Sequence, residues 1–369
     1  MGHPPHGIPQ IEPWFGNEEA DAVAAYMRSG GWVTEFKKTQ EFENAIAAYT
    51  GAKHCIVTNN GTISLTLAAL AVGIKAGDDV IVPNYTMIAT PNAVLMFGAN
   101  PVMVDVEPST LCLDIEKVKI SLTRRTSAIV LVAANGRYPS AGIEAFESLA
   151  LEKGLIFIED SAQGLGSRYP DGRHVGTAGL VGSFSFSMPK IISTGQGGCL
   201  ITDDDHVANR LRHLKDFGRS RGGNDIHDTI GWNFKFTDVQ AVIGIEQMKK
   251  LAWRVQRKKD IWRAYARGLQ GMDHIQLFPH DLKHTTPWFI DCLCRDREIL
   301  QRYLRERGVG TRIMYPPINQ QIAYQRSGVH PVSEEVGRRG LWLPSASQLS
   351  DDQVARICGE IRHFYGVAL

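Results

Sequence analysis

One lysine closes an alternating run in GSFSFSMPKIISTGQGG, residues 182–198: Lys190 follows Ser183, Ser185 and Ser187, which alternate with Phe184 and Phe186, and it precedes Gly195, Gly197 and Gly198. An amine desolvated beside apolar groups loses affinity for its proton and becomes a nucleophile able to form a Schiff base. A lysine that snorkels its charge out to solvent fits the same local pattern. The period of two places the three hydroxyls on one face, where they can bind phosphate, and the glycines let a bulky planar group lie against backbone. A second stretch, GLIFIEDSAQGLGS (residues 154–167), is an apolar run that delivers Glu159 and Asp160 to its end, followed by Ser161 and Gln163. A carboxylate there can cap a helix, bind a metal or pair with a ring nitrogen, and the segment offers no histidine as a metal ligand. The third, NNGTISL (residues 59–65), places Gly61 and Thr62 at a helix start. Unpaired N–H groups and a partial positive charge suit a phosphate there, while Asn59 or Asn60 suits an ordinary cap.

The order of the three decides between these readings. A phosphate-type helix start, then a strand-end carboxylate, then a lysine are the parts that pyridoxal phosphate requires: a phosphate anchor, an acid that keeps the pyridine nitrogen protonated, and an amine for the aldehyde. Lys190 would then also carry the proton between substrate carbon and cofactor carbon.

Such residues need a scaffold that brings distant segments together. EEADAVAAYMRSG and TQEFENAIAAYTG read as helices closed by glycine. From Cys55 onward, KHCIVTNN, DDVIVPN, NPVMVDV, TSAIVLVAANG and GLIFIED are strand-like, alternating with helical stretches such as GTISLTLAALAVGI, TMIATPNAVLMFG and AGIEAFESLALEKG. Buried strands separated by helices predict an α/β fold with a mostly parallel sheet between helices, and ligands at the carboxyl ends of its strands. Beyond Ile201 long amphipathic helices follow, with TDVQAVIGIEQMKKLAWRVQRKKDIWRAYARGL read as one connecting helix whose RVQRKKD tract (residues 254–260) is a solvated face. Strands (PWFIDCLCR, GVGTRIMY) and helices then mix in a small C-terminal α+β domain. The expected division is 1–245 for the N-terminal segment and large cofactor-binding domain and 246–369 for the connecting helix and small domain.

The chain has 369 residues, 43% hydrophobic and 21% charged, with a formal net charge of +1. That composition is ordinary for a soluble enzyme, and the balanced charge gives no global field for nucleic acid or anionic lipid. No apolar run reaches a membrane-spanning length. The opening MGHPPHGIPQ reads as a floppy lead without a signal-peptide pattern. Six scattered cysteines, of which only Cys292 and Cys294 lie close, complete no zinc set and suit a reducing cytoplasm.

From about Ile8 to Tyr365 the chain resembles the DegT/DnrJ/EryC1/StrS family of sugar aminotransferases, within the fold type I (aspartate aminotransferase) superfamily. Five ordered stretches carry the likeness: SGGWVTEFKKTQEFENAIAAYTGAKHCIVTNNGTISLTLAAL, DDVIVPNYTMIATPNAVLMFGANPVMVDV, FIEDSAQGLGSRY, GSFSFSMPKIISTGQGG and IGWNFKFTDVQAVIGIEQ. The resemblance implies pyridoxal 5'-phosphate as cofactor, with Lys190 forming the Schiff base, Asp160 on the pyridine nitrogen and Gln163 on the ring hydroxyl. Gly61, Thr62 and Ser185 would hold the phosphate. It implies a homodimer with active sites at the interface, where Lys235 of the GWNFKFTD segment reaches the neighbour's phosphate; relatives with histidine at that position are 3-dehydratases, so lysine implies transamination. Met87 stands where the family stacks an aromatic residue on the ring, Ala133, Ala134, Asn135 and Gly136 replace a common H-L-Y-G, and Asn319 replaces a common histidine. Trp32, Tyr315 and Asn319 are the candidate substrate contacts, with the loop 219–229 and the segment 312–319 deciding selection. The TGQGG ending resembles the perosamine-type branch, which implies glutamate as amino donor and a nucleotide-linked 4-keto-6-deoxyhexose as acceptor. The alternatives are a keto sugar without a nucleotide, such as an 8-oxo-octulosonate, or a keto-cyclitol, and, in another class, a non-catalytic regulator or binding module of the same fold. Regulators of the superfamily usually carry an added DNA-binding domain, for which this chain has neither the length nor a basic recognition helix.

Overall fold

A computed structural model describes residues 7–220, 225–324 and 327–367. Part of the 219–229 loop, residues 221–224, and residues 1–6 of the opening lead lie outside that range. Seven strands form one sheet: β1 (His54–Thr58), β2 (Asp79–Pro83), β3 (Asn100–Val104), β4 (Thr126–Val132), β5 (Ile156–Asp160), β6 (Val181–Ser185) and β7 (Gly198–Thr202), in the order β1-β7-β6-β5-β4-β2-β3. The pairings β3–β2, β2–β4, β4–β5 and β5–β6 are parallel. β7 runs antiparallel to both β6 and β1. Apolar clusters cover both faces: Ile56, Val80, Ile158 and Leu200 on one side, Val57, Phe184, Cys199 and Ile201 on the other. Helices on both faces of a mostly parallel sheet are the architecture expected from the alternating pattern. β7 escapes that pattern because its five residues follow a glycine-rich loop and pack as a continuous apolar run.

A second, antiparallel sheet of four strands, β8 (Ile275–Leu277), β9 (Ile290–Cys294), β10 (Arg312–Ile313) and β11 (Gly340–Leu343), has the order β10-β11-β9-β8. Cys292 and Cys294 both sit buried on β9 with their sulfurs 3.7 Å apart. Trp288, Phe289, Met314 and Trp342 of this part share one core with Ile81, Ile129 and Phe157 of the large sheet and Phe146 of the helix Ile143–Lys153 beside it. The two sheets are therefore joined by apolar packing as well as by chain.

Three readings need correction. The chain from 237 to 269 is two helices, Asp238–Lys249 and Leu251–Gly268, broken at Lys250, whose N–H bonds the carbonyl of Gln247 in a tightened last turn. RVQRKKD is not a solvated face. Leu251, Arg254, Lys258, Ile261 and Tyr265 recur at helical spacing and are all buried. Two cations enter that stripe because carbonyls await them: Arg254 donates to Ile191 O (2.8 Å) and Trp14 O (2.9 Å), and Lys258 to Trp288 O (2.8 Å). Desolvation pushes the Lys258 pKa down to about 7. The opening lead, in turn, is anchored at its end. Ile8 is buried, accepts from Gly310 N (2.7 Å) and donates to Gly308 O (2.7 Å). Among the described residues no helix is long and apolar enough to cross a membrane.

Helices α1 (Asn17–Arg28) and α2 (Lys37–Thr50) are tied to the helix Asp238–Lys249 by one carboxylate. Asp238 accepts from Phe36 N (2.8 Å), Lys38 N (3.0 Å), Thr39 N (2.9 Å), Thr39 Oγ1 (2.8 Å) and Tyr26 Oη (2.9 Å). Three of these are N–H groups that a helix start leaves without an internal partner. Burial alone would raise the Asp238 pKa; the bonds from Thr39, Lys38 and Phe36 outweigh it and hold the carboxyl below its usual value. Asp238→Ala is expected to cost about 3 kcal/mol, read as a lower urea midpoint at pH 7. Because the folded-state pKa is the lower one, that stabilisation is fully present above the unfolded value and fades as pH falls through the folded one; the parent and variant midpoints should converge in acid.

Candidate active site

The carboxyl ends of β1, β4, β5 and β6, with the turn after β2, enclose a cavity of about 380 Å³. Gly61, Thr62, Met87, Asp160, Gln163, Ser185 and Lys190 all line it, together with Asn59, Asn60, Leu65, Thr86, Ala89, Val132, Ala162, Ser187 and Gln196. These residues come from segments spread over 138 positions, 59 to 196, and the parallel strands alone bring their ends to one rim.

The β1 end leads into α3 (Gly61–Ala71), capped by Asn60, whose side chain accepts from Ile63 N (2.9 Å). The N–H groups of Gly61 and Thr62 have no partner among the described residues, so the ordinary cap and an anion site coexist at this helix end. Ser185 stands against it: a Cβ on Gly61 would lie 2.8 Å from the Ser185 Cβ. Ser185 and Ser187 face the cavity, but Ser183 is buried beneath it. The chain's own packing already requires the glycines after Lys190. Gly195 turns the chain with φ +80°, and a Cβ on Gly197 would meet Thr194 Oγ1 at 2.5 Å. A Cβ on Gly198 would lie 2.7 Å from both Asn60 C and Gly61 N. Gly198 lets β7 pack against the α3 start, and Gly195 and Gly197 are required by the turn and packing of the loop itself.

Asp160 ends β5 and is buried. Thr90 Oγ1 donates to its Oδ2 (2.7 Å) and Ala162 N to its Oδ1 (3.2 Å). Burial raises its pKa against the opposing pull of Thr90, Ala162 N–H and the charge of Lys190. Its neighbour Glu159 points the other way along the strand and serves the fold, accepting from Gly176 N, Ala178 N, Gly179 N and Tyr169 Oη. Gln163 Oε1 accepts from Asn135 N (2.6 Å), which leaves the amide N–H groups of Gln163 as donors to the cavity. Lys190 is half-buried; desolvation pulls its pKa down to about 8, with the Asp160 charge opposing and the Arg312 charge assisting that fall.

Four of the residues picked out from sequence do not line the cavity. Lys235 pairs with Asp216 (2.6 Å) and lies over the Phe217 ring (4.8 Å). Trp32 is 64% exposed and lies beside Phe36, 6.0 Å between rings. Tyr315 packs edge-on to Trp342 at 4.7 Å and nears Tyr85 at 6.0 Å. Asn319 is buried, its Oδ1 taken by Asn84 Nδ2 (2.9 Å) and its N–H by Asn84 Oδ1 (2.9 Å), so it fastens the 318–320 turn to the end of β2. Two side chains neighbour the lysine: Arg312, whose charge reaches that amine and which opens the 312–319 segment expected to decide selection, and Trp288, whose ring lies 4.3 Å from Lys190 Nζ and which the sequence did not single out. Nothing local in PWFIDC marks Trp288 as part of a site.

The donor set fits pyridoxal phosphate. Free helix-start N–H groups and a serine hydroxyl suit the phosphate, a buried carboxylate suits a cationic ring nitrogen, amide N–H suits the ring oxygen, and a lysine of depressed pKa suits the aldehyde. Gly198→Ala would force β7 off the start of α3. Overpacking of this kind costs about 1–3 kcal/mol, and since it moves the anion-binding N–H groups, the variant is expected to release pyridoxal phosphate at least about tenfold more readily in equilibrium dialysis.

Residues 13–362 match the DegT/DnrJ/EryC1/StrS aminotransferase family. The chain is 33% identical over 362 residues to a GDP-perosamine synthase of Escherichia coli O157:H7, covering 97% of this chain and 98% of that one. It is 31% identical to the spore coat polysaccharide biosynthesis protein SpsC of Bacillus subtilis, covering 97% of each. Among solved structures it is similar to DesV of S. venezuelae in complex with a ketimine intermediate, with a TM-score of 0.89, 31% identity and coverage of 96% of this chain and 95% of that one. The cavity at the strand ends, its donor set and these likenesses over nearly the whole length agree: the chain belongs to the DegT/DnrJ/EryC1/StrS aminotransferase family and is a pyridoxal phosphate-dependent sugar aminotransferase.

Proposed function

We propose that the chain moves an amino group from glutamate to a GDP-linked 4-keto-6-deoxyhexose, working as a homodimer whose active sites lie at the subunit interface. The observation that carries the reading of the site is the shared cavity of Lys190, Asp160, Gln163, Ser185 and the α3 start. The choice of sugar is supported by the E. coli relative's name and by near-complete coverage of both chains.

Pyridoxal phosphate, when bound, supplies an aldehyde that accepts amines and a ring that draws electrons from the carbon losing its proton. The N–H groups of Gly61 and Thr62 and the hydroxyl of Ser185 would hold the phosphate, and Met87, on the same cavity, would offer the ring a soft sulfur contact. Asp160, ionised, would keep the ring nitrogen protonated, and its burial would favour that pairing, because a lone carboxylate there has little water to turn to. Gln163 donates to the ring oxygen while Asn135 N fixes its orientation. Lys190 Nζ, with a pKa near 8, has a minor but substantial neutral fraction at physiological pH, far more than a free lysine, and that neutral form would take the proton from the donor carbon and return it on the other side of the transfer. Arg312 has no ion-pair partner among the described residues and offers its charge to the donor carboxylate. Lys235 stays with Asp216 in its own subunit's frame and serves the neighbouring site.

Glutamate with the GDP-linked 4-keto sugar is expected to yield 2-oxoglutarate and the amino sugar, measured by coupled assay and mass spectrometry. Transfer only to a keto sugar without a nucleotide, or to a keto-cyclitol, would replace the acceptor assignment, and no transfer to any of them would defeat it. Lys190→Ala is expected to lose the visible absorbance of the bound cofactor and to reduce kcat by at least about a thousandfold. Asp160→Asn is expected to keep the fold and reduce kcat by a factor on the order of a hundred or more.

A further inference from the structure

A lysine that carries a proton between two carbons spends part of every turnover as an ammonium. In this cavity that state is disfavoured by desolvation and by Arg312 of β10. Asp160 of β5 attracts it, but no ion pair closes on Lys190 Nζ among the described residues, and the Asp160 oxygens are engaged by Thr90 Oγ1 and Ala162 N. What does lie against the amine is the face of an indole, with Nζ 4.3 Å from the Trp288 ring centroid.

That indole is held unusually firmly. Trp288 Nε1 donates to the carbonyl of Pro189 (2.7 Å), the residue before the lysine, so ring and amine are registered through one short piece of backbone. The Trp288 N–H donates to Asn135 O (3.3 Å), and its own carbonyl accepts from Lys258 Nζ (2.8 Å). Its ring stacks on Phe289 at 3.7 Å and meets Trp342 edge-on at 5.9 Å, and only 4% of the residue is exposed. A ring fixed on several sides with its face toward a reacting nitrogen does more than fill space. The negative face of an indole attracts a cation, most strongly where water is absent, and has little attraction for a neutral amine.

We propose that Trp288 holds and aims the protonated form of Lys190, its indole face standing in for the carboxylate partner that a buried ammonium ordinarily needs. The inference rests on the reading of Lys190 as the amine that meets the cofactor aldehyde. In the forward proton movement the neutral Nζ takes one proton from the donor carbon and becomes the ammonium over the indole; it then gives up one proton to the accepting carbon and is neutral again, so charge and protons balance. The groups that set its titration are Asp160, Arg312 and this ring, while Lys258 bears on it through the Trp288 carbonyl.

The test uses the full-length protein stripped of cofactor, since capture of the pyridoxal phosphate aldehyde requires neutral Nζ. Its rate, followed by the growth of visible absorbance from pH 6 to 10, reports the amine's titration, with a midpoint near 8 expected for the parent. Removing an attraction to the ammonium lowers that midpoint: by between about 0.4 and 1.5 pH units in Trp288→Leu, and by a smaller amount in Trp288→Phe, which keeps an aromatic face. A merely structural tryptophan would slow capture at every pH without moving the midpoint. Should the leucine variant not fold, the phenylalanine variant decides alone. A midpoint equal to the parent's or above it in the folded variants overturns the inference. Lys190→Ala is the control for the reading beneath it: if that variant captures the aldehyde as the parent does, the assignment of Lys190 is what fails.

Discussion

A lysine in water keeps its proton at neutral pH and attacks nothing, so the chemistry of this protein rests on how dry its structure keeps one amine. Lys190 has a pKa near 8 chiefly through desolvation, and the walls that desolvate it come from both sheets. Leu165 and Ile191 lie in the loops that follow β5 and β6 of the large sheet, Thr286 and Trp288 in the segment leading into β9. Both parts contribute to the surroundings of that amine. The shared core of Trp288, Phe289 and Trp342 with Phe146 and Phe157 is thus more than a domain contact; its packing sets the proton affinity of the reacting nitrogen.

The same burial acts on the acid across the cavity with the opposite sign. It pushes the Lys190 pKa down and the Asp160 pKa up, so each group is drawn toward its neutral form. Two donors resist this at Asp160, Thr90 Oγ1 and Ala162 N, and they keep the carboxylate oriented. An acid poised in this way favours a cationic partner strongly and water hardly at all. Specific pairing with a ring nitrogen is then a matter of placement, which the end of β5 supplies.

Much of this was legible in the sequence wherever the signal is local. Strand ends and helix starts announce themselves by period, glycine and cap, so NNGTISL, IEDSAQ and the lysine turn could be placed on one rim before any coordinates. What resisted was long-range. Trp288 stands 98 positions from Lys190 in a stretch that reads only as strand. Arg254 and Lys258 look like a solvated charge run because their acceptors, the carbonyls of Ile191, Trp14 and Trp288, lie on other elements. Gly197 and Gly198 read as room for a ligand, and chain packing also requires them, since a missing side chain records a close approach without saying by what. Asn319 likewise looked like a contact for substrate and is spent on Asn84.

Asn135 carries the joint between these two kinds of information. It is buried at φ 55°, a left-handed conformation that costs a non-glycine residue about 1 kcal/mol or more. Asparagine tolerates that region better than most, and here its amide acts as a piece of strand: Nδ2 donates to Phe289 O (2.8 Å) and Oδ1 accepts from Phe289 N (2.6 Å). The turn that this strained residue makes also aims its own N–H at Gln163 Oε1 and its carbonyl at the N–H of Trp288. One residue therefore fixes both the donor offered to the ring oxygen and the indole that faces the amine. The strain is tolerated because four hydrogen bonds over-determine it. It follows that the two ends of the reaction site cannot drift apart independently: any movement of the small sheet that shifts Phe289 shifts Gln163 and Trp288 together.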